Sequence, residues 1–365
     1  MFSQLFTLVL DKTENDEIYN IYNNLVSFAV EEGNTSNTII QNTIDVLMKH
    51  ALDAKKYFIA NIDLSDPFYT FIAPSIVYID YLSNRKTIDD VDSVFANMMS
   101  TQYGGISKSN IENVYNSYGL QYVGRSIPFA YTMYKYYLNT DSTKSNYYRT
   151  ILINYADFLK DMIDVKHDVV LRHDLPEWGG NGNSRAMGLY GLALGYTVTK
   201  NEVYRTYFNN LNGVFNDVLE VGTIIPDGNN IYNRYLHYSA FSNFYYALAL
   251  KHIVPNEPMY STYNYMLDCV HSTGEIKDVD YCCSDSRRGK PHTYAYVIGS
   301  LLLSDKISCL LAGYKSAEWL KNQSPIVDDY PIMLDKYTTY TRQYSWHELG
   351  FDIYCVAEIL SNLST

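Results

Sequence analysis

The chain lacks a surplus of positive charge, a long apolar run and a patterned set of cysteines, and each lack closes off a class of function. Lys and Arg together number 28 against 40 Asp and Glu, for a net charge of −12. A protein whose main partner is nucleic acid needs a basic footprint to displace counterions from phosphates, so that class is set aside. No stretch of 18 or more residues is apolar throughout, so no transmembrane segment is expected. The opening Met1–Leu10 is apolar but has no basic start and no small-residue cleavage site, and it reads as structural rather than as a secretion signal. The five cysteines, Cys269, Cys282, Cys283, Cys309 and Cys355, form no CxxC and no ladder with histidine. Neither a zinc site nor a disulfide framework is expected, and the adjacent Cys282 and Cys283 read as buried thiols. His173-Asp174 and His347-Glu348 are neighbours in sequence without the i, i+4 spacing of a helical metal site, so the expected metal and cofactor content is none.

Tryptophan is scarce at 3 residues, whereas tyrosine reaches 38 of 365. A phenol ring stacks on sugar faces, but more often it packs in a core with its hydroxyl reaching a polar partner. A chain of this length buries about three quarters of the surface it exposes when unfolded, so it needs no covalent staple.

Most of the sequence has helical periodicity. Residues 38–57 place Ile40, Ile44, Leu47, Met48 and Ala51 on one face. Similar patterns predict helices over 68–83, 126–138, 146–164, 185–198, 203–219, 237–252, 259–270 and 293–312. Proline marks the connections at Pro67, Pro176, Pro226, Pro255 and Pro291. No alternation of strand and helix occurs, which excludes doubly wound and barrel α/β folds. The expectation is an all-α, incomplete (α/α) toroid of helical hairpins over 1–330. Residues 331–365 are expected to form a short β-rich tail, because Tyr337–Trp346 and Glu348–Val356 are rich in β-branched and aromatic residues and read as a hairpin remnant.

One constellation carries chemistry. Gly179-Gly180-Asn181-Gly182-Asn183-Ser184-Arg185 is a turn that enters a helix. Arg234–Tyr246 is a tyrosine-rich run around His237, and Asp285-Ser286-Arg287-Arg288-Gly289-Lys290 is a basic loop. An amide, an imidazole, a phenol and a guanidinium suffice to remove the proton on C5 of a uronic acid. The amide or cation blunts the carboxylate's charge, a base takes the proton, and an acid protonates the departing oxygen on C4. Asn183 is placed to address the carboxylate, although an N-cap role is the plainer use of an asparagine there. His237 and Tyr245 or Tyr246 are candidates for proton transfer, with Tyr238 as a rival phenol. Arg288 can hold a carboxylate or lower the pKa of a phenol.

These residues resemble a family. Gly182-Asn183-Ser184-Arg185 looks like the asparagine motif of the hyaluronate and chondroitin AC-type lyases (polysaccharide lyase family 8) and the related baculoviral envelope chondroitin lyases. In that family a histidine follows some fifty residues later and a tyrosine eight or nine beyond it. Here His237 follows Asn183 by 54, and Tyr245 and Tyr246 stand eight and nine further on. Asp285–Lys290 resembles the family's arginine motif, whose second arginine falls near His292. Tyr122–Pro128 is similar to its aromatic segment. Anchoring instead on Asp227-Gly228 puts Asn233 at the histidine position. The resemblance implies a lyase acting on an anionic polysaccharide, with Trp178, Tyr118, Tyr122, Arg287, Lys290 and His292 binding substrate and Asn183, His237, Tyr245, Tyr246 and Arg288 catalytic. It also implies a virion-associated or extracellular protein.

Two other readings stay open. One is a non-catalytic carbohydrate-binding or virion structural protein on the same fold. The other is an inverting glycoside hydrolase, which needs two carboxyl groups about 6.5–9.5 Å apart; Glu177 and Asp227 are the loop carboxylates available.

Overall fold

A computed structural model describes residues 36–61, 67–102, 119–167, 169, 182–216, 236–254, 266–267, 269–276, 291–304, 306–322 and 353–361. The helices are α1 (Ser36–Asn61), α2 (Pro67–Leu82), α3 (Ile88–Gln102), α4 (Gly119–Tyr137), α5 (Ser142–Lys166), α6 (Gly182–Thr199), α7 (Glu202–Asn216), α8 (Leu236–Ile253), α9 (Pro291–Leu302), α10 (Ile307–Asn322) and α11 (353–361). The chain forms two compact units, Met1–Asp66 with Met259–Val356, and Pro67–Pro258 with Ala357–Thr365.

In the second unit, side-chain contacts fix the direction of each helix. Tyr78 of α2 meets Phe129 of α4, and Tyr81 meets Tyr136, so α2 and α4 run parallel. Tyr190 of α6 meets Tyr245 of α8, and Thr197 meets His252, so α6 and α8 run parallel as well. Lys144 of α5 pairs with Asp89 of α3 at 2.7 Å, and Tyr148 with Phe95, which makes α3 and α5 parallel. Tyr204 and Tyr207 of α7 donate to Asp157 and Asp164 of α5, which makes α5 and α7 parallel. Across the two sets the direction reverses: Gly195 of α6 lies against Ala156 of α5, and Gly191 against Leu159, while Arg149 Nε donates to the Val198 carbonyl at 3.1 Å. The unit is therefore a double layer, with α2, α4, α6 and α8 in one layer and α3, α5 and α7 returning in the other.

Glycine lets the two layers touch. A Cβ added at Gly195 would stand 2.4 Å from the Ala156 Cβ, and one at Gly191 would stand 2.4 Å from Leu159 Cδ1. A glycine costs helix stability in the open, so its use here is to admit the neighbouring helix.

The two ends of the double layer differ. At one end the links are short, 83–87, 138–141 and 200–201. They are built by local bonding. Thr87 and Asp90 form a reciprocal cap, with the Thr87 N–H donating to Asp90 Oδ2 at 2.8 Å and the Asp90 N–H to Thr87 Oγ1 at 3.4 Å. Asp141 Oδ1 accepts from the N–H groups of Thr143 and Lys144, both at 3.0 Å. Asn201 Oδ1 accepts from the Val203 N–H at 3.1 Å. At the other end, where α2, α4, α6 and α8 begin, the connections 103–118, 167–181 and 217–235 are long.

Several of the described tyrosines are core groups with tethered tips. The Tyr148 hydroxyl is bound to Asp92, Tyr204 donates to Asp157 at 3.0 Å, and Tyr314 donates to Glu318 at 2.8 Å. Each hydroxyl is held as the neutral donor: burial, followed by the carboxylate beside it, pushes Tyr204 and Tyr314 up to about 12.

In the first unit α9 and α10 form an antiparallel pair. Tyr294 stacks on Trp319 at 4.9 Å, and Gly313 faces Leu301. The Ile276 N–H donates to the Tyr294 hydroxyl at 3.0 Å, anchoring a tight turn closed by the isolated bridge between Val270 and Ile276. Gly274 in that turn has φ +87 and sits against the Lys315 carbonyl, a place only glycine fills without strain.

Two expectations are corrected. The C-terminal β-hairpin is not supported: residues 337–352 lie outside the described residues, and Ile353–Val356, expected as strand, are helical within α11. No strand occurs among the described residues beyond the one bridge. The segment misleads because every residue from Ile353 to Ser361 is buried. A helix covered on all sides shows no amphipathic period, and its β-branched and aromatic content then imitates a strand. Among the described residues the fold class is all-α without a β remnant. The helix expected over 293–312 is instead two, broken at Leu303–Lys306, where Ser304 Oγ accepts from the Lys306 N–H at 3.1 Å and starts α10 anew.

Candidate functional site

The predicted site residues scatter over both units. Asn183 stands in the first turn of α6, His237 in the first turn of α8, Tyr122 in the first turn of α4 and His292 in the first turn of α9. Tyr245 and Tyr246 lie in the middle of α8. Tyr118, Trp178, Asn233, Arg287, Arg288 and Lys290 lie outside the described residues, as do Glu177 and Asp227. Arg287, Arg288, Lys290 and His292 belong to the first unit, the others to the second.

Within the second unit the seam between α6 and α8 brings Asn183 and His237 to one end. Tyr190 and Tyr245 meet edge-to-face with centroids 5.5 Å apart, and one heptad further on Thr197 Oγ1 and His252 Nδ1 lie 3.2 Å apart. Both pairs have the same offset in sequence, so the two helices keep register over that span. Carrying the register back one heptad sets Asn183 level with Tyr238, with His237 in the same turn. This is the end of the long connections.

The two tyrosines named from spacing are inside the seam. Tyr245 is 0% exposed, packed against Tyr190, Phe241 at 4.6 Å and Phe244 at 5.6 Å. Its hydroxyl has no hydrogen-bond partner among the described residues. Tyr246 is 7% exposed, and its hydroxyl donates to Asn212 Oδ1 of α7 at 2.9 Å. The buried amide nitrogen of Asn243, on the same helix, also has no partner there.

At the opposite end of the seam lies a polar group that sequence reasoning did not single out. His252 is held between the edge of Tyr131 at 5.1 Å, Tyr190 at 6.0 Å and Thr197. The Thr197 hydroxyl spends its only proton on the Ala193 carbonyl at 2.8 Å. His252 is therefore the donor in their contact, which assigns its proton to Nδ1. Burial, with Lys135 and Lys200 nearby, pulls its pKa down to about 4. Lys135 sits 4.5 Å over the Tyr131 ring, and burial lowers its pKa to about 8. Lys135 and Lys200 lie at the ends of α4 and α6, where helix dipoles favour positive charge. Their arrangement is structural. The sequence signal was a Lys251-His252 pair in the last turn of α8.

No helix among the described residues is long and apolar enough to cross a membrane. No protein-family model matches the chain, and no curated protein matches it. Among solved structures, an Asp-to-Asn mutant of the unsaturated glucuronyl hydrolase of Streptococcus agalactiae superposes with a TM-score of 0.47 at 10% identity, covering 88% of this chain and 91% of that one. The same hydrolase without that mutation superposes at 0.43 and 10% identity, covering 88% and 92%. Both superpositions fall below 0.5, so neither a common fold nor a role for any residue follows from them.

Proposed function

We propose that the chain cleaves a uronic-acid polysaccharide of the chondroitin or hyaluronan type by β-elimination. The observation that supports this reading is the placement of Asn183 and His237 in the first turns of two adjacent parallel helices, at the end of the unit with long connections. The Asn183 amide takes the carboxylate, so that charge developing on removal of the C5 proton is met by a fixed donor. His237 and a phenol on the same helix handle the proton. Arg288 is assigned to the carboxylate or the phenol by its motif. Trp178, Tyr118 and Tyr122 are assigned to sugar stacking, and they border or lie within the connections that lead into α4 and α6.

The test is incubation with chondroitin, hyaluronan and a panel of other polyuronides while ultraviolet absorbance and reducing ends are followed. A lyase produces both signals, because each cut leaves an unsaturated uronide. Asn183→Ala is expected to lower kcat/KM by about a hundredfold or more, the usual loss for one stabilising donor. Arg288→Ala in the same assay tests the motif assignment. Reducing ends without absorbance would replace this reading with hydrolysis by Glu177 and Asp227. Binding without either signal would replace it with a carbohydrate-binding protein.

A further inference from the structure

We infer that Lys135, at the end of α4, is a covalent acylation site: an amine with no carboxylate beside it, held over the Tyr131 ring next to His252, that takes the acyl group of a small activated donor such as an acyl phosphate. It lies at the end of the unit with the short links, so the inference stands apart from the elimination reading above. The packing that places the side chain is structural; its reactivity follows from what that packing leaves out.

Two lysines of this unit sit over tyrosine rings in α4, and their other partners differ. Lys144 Nζ is 4.7 Å over the Tyr137 ring, and it also pairs with Asp89 at 2.7 Å and Asp92 at 3.0 Å. Those carboxylates hold its proton and push its pKa up. Lys135 Nζ is 4.5 Å over the Tyr131 ring, and no carboxylate pairs with it among the described residues. The His252 ring meets the same tyrosine at 5.1 Å and 82°. Lys135 is half-buried, so its ammonium gives up water without gaining a counter-charge, and burial lowers its pKa to about 8. The titratable groups on the elements around it are Tyr131 and Tyr134 of α4, Tyr190 of α6, Lys200 at the end of α6, His252 of α8 and, beyond Tyr190, Glu358 of α11. None of them pairs with Lys135 as an anion.

A desolvated neutral amine is the nucleophile of lysine chemistry. At pH 8 about half of Lys135 is neutral, against roughly one in three hundred for an ordinary lysine. A nucleophile weakens as its basicity falls, which takes back roughly tenfold and leaves an advantage on the order of tenfold. The step balances without a redox partner. The amine attacks the acyl carbon and a C–N bond forms. The bond from that carbon to the phosphate oxygen breaks with its pair on the phosphate, and the proton lost by nitrogen passes to water. The amide product carries no charge, so acylation also removes one of the cations that keep His252 neutral.

The experiment treats the full chain with limiting acetyl phosphate over a pH series and measures initial acetylation of each lysine by peptide mass spectrometry. At pH 8 Lys135 should react about tenfold faster than the exposed Lys49 and Lys56, and faster still than Lys144. Its rate should level off above about pH 8, once the amine is largely neutral, while exposed lysines go on gaining. Lys135→Arg keeps the charge and should remove that label alone. The assignment is overturned if Lys135 reacts no faster than Lys49 and Lys56, if its rate climbs with theirs through pH 10, or if the fast label persists in Lys135→Arg.

Discussion

The Thr197 hydroxyl accepts a hydrogen bond from Nδ1 of His252 across 3.2 Å, joining the last turns of α6 and α8. That bond needs only the Nδ1 proton, and the rest of the imidazole lies against the Tyr131 and Tyr190 rings. The folded protein therefore keeps His252 neutral down to about pH 4, while an unfolded chain protonates it near 6.5.

Stability should accordingly fall on acidification. Above pH 6.5 neither state binds the proton and His252 contributes no pH dependence. Between 6.5 and about 4 the unfolded state binds it and the folded state does not, so stability declines as pH drops, by up to about 3 kcal/mol, and levels off below. Urea titrations at several pH values measure this. His252→Gln should flatten the slope over that window; an unchanged slope would show that other groups carry it.

Gly195 and Gly213 should respond to alanine in opposite directions. At Gly195 the new methyl meets the Ala156 Cβ at 2.4 Å, a rigid neighbour, so the layers must move apart at a cost of about 1–3 kcal/mol. At Gly213 of α7 nothing lies within 4 Å, and Gly213→Ala should add about 0.5–1 kcal/mol through helix propensity alone. Thermal unfolding of the two variants decides the matter, and two shifts of the same sign would contradict the layer contact.

Tyr245→Phe and Tyr246→Phe should also part company in stability. The Tyr245 hydroxyl is buried without a partner among the described residues, so its removal is expected to be neutral or stabilising by up to about 1 kcal/mol. The Tyr246 hydroxyl donates to Asn212, and its loss should cost about 1 kcal/mol. Equal destabilisation of both would mean that the Tyr245 hydroxyl has a partner after all.

The helical hairpins were largely legible from periodicity. The patterns over 146–164, 185–198 and 237–252 fall within α5, α6 and α8; α5 alternates buried and exposed positions, whereas residues 186–195 of α6 and 240–249 of α8 are buried throughout. The sequence reading predicts no helix over α3, although Thr87 and Asp90 spell out its cap and Ile88, Val91 and Phe95 form its buried stripe. The pattern over 126–138 stops short of the start of α4 at Gly119, and Pro128 lies inside the helix. Helix α11 was taken for strand because burial on every side erases the period. For the candidate site, the sequence pointed to helix starts, and Asn183 and His237 do stand in first turns at one end of their seam. Spacing alone could not rank the tyrosines. Counting eight or nine residues from His237 says nothing of depth, and Tyr245 and Tyr246 are both buried.

The inequality between the link at 200–201 and the connections at 167–181 and 217–235 bears on the order in which the unit comes together. Closing a short loop costs little chain entropy, so α6 with α7 and α4 with α5 form as local pairs. Each such pair should then open as one cooperative piece, so that in dilute urea the amides of α6 and α7 exchange together rather than helix by helix.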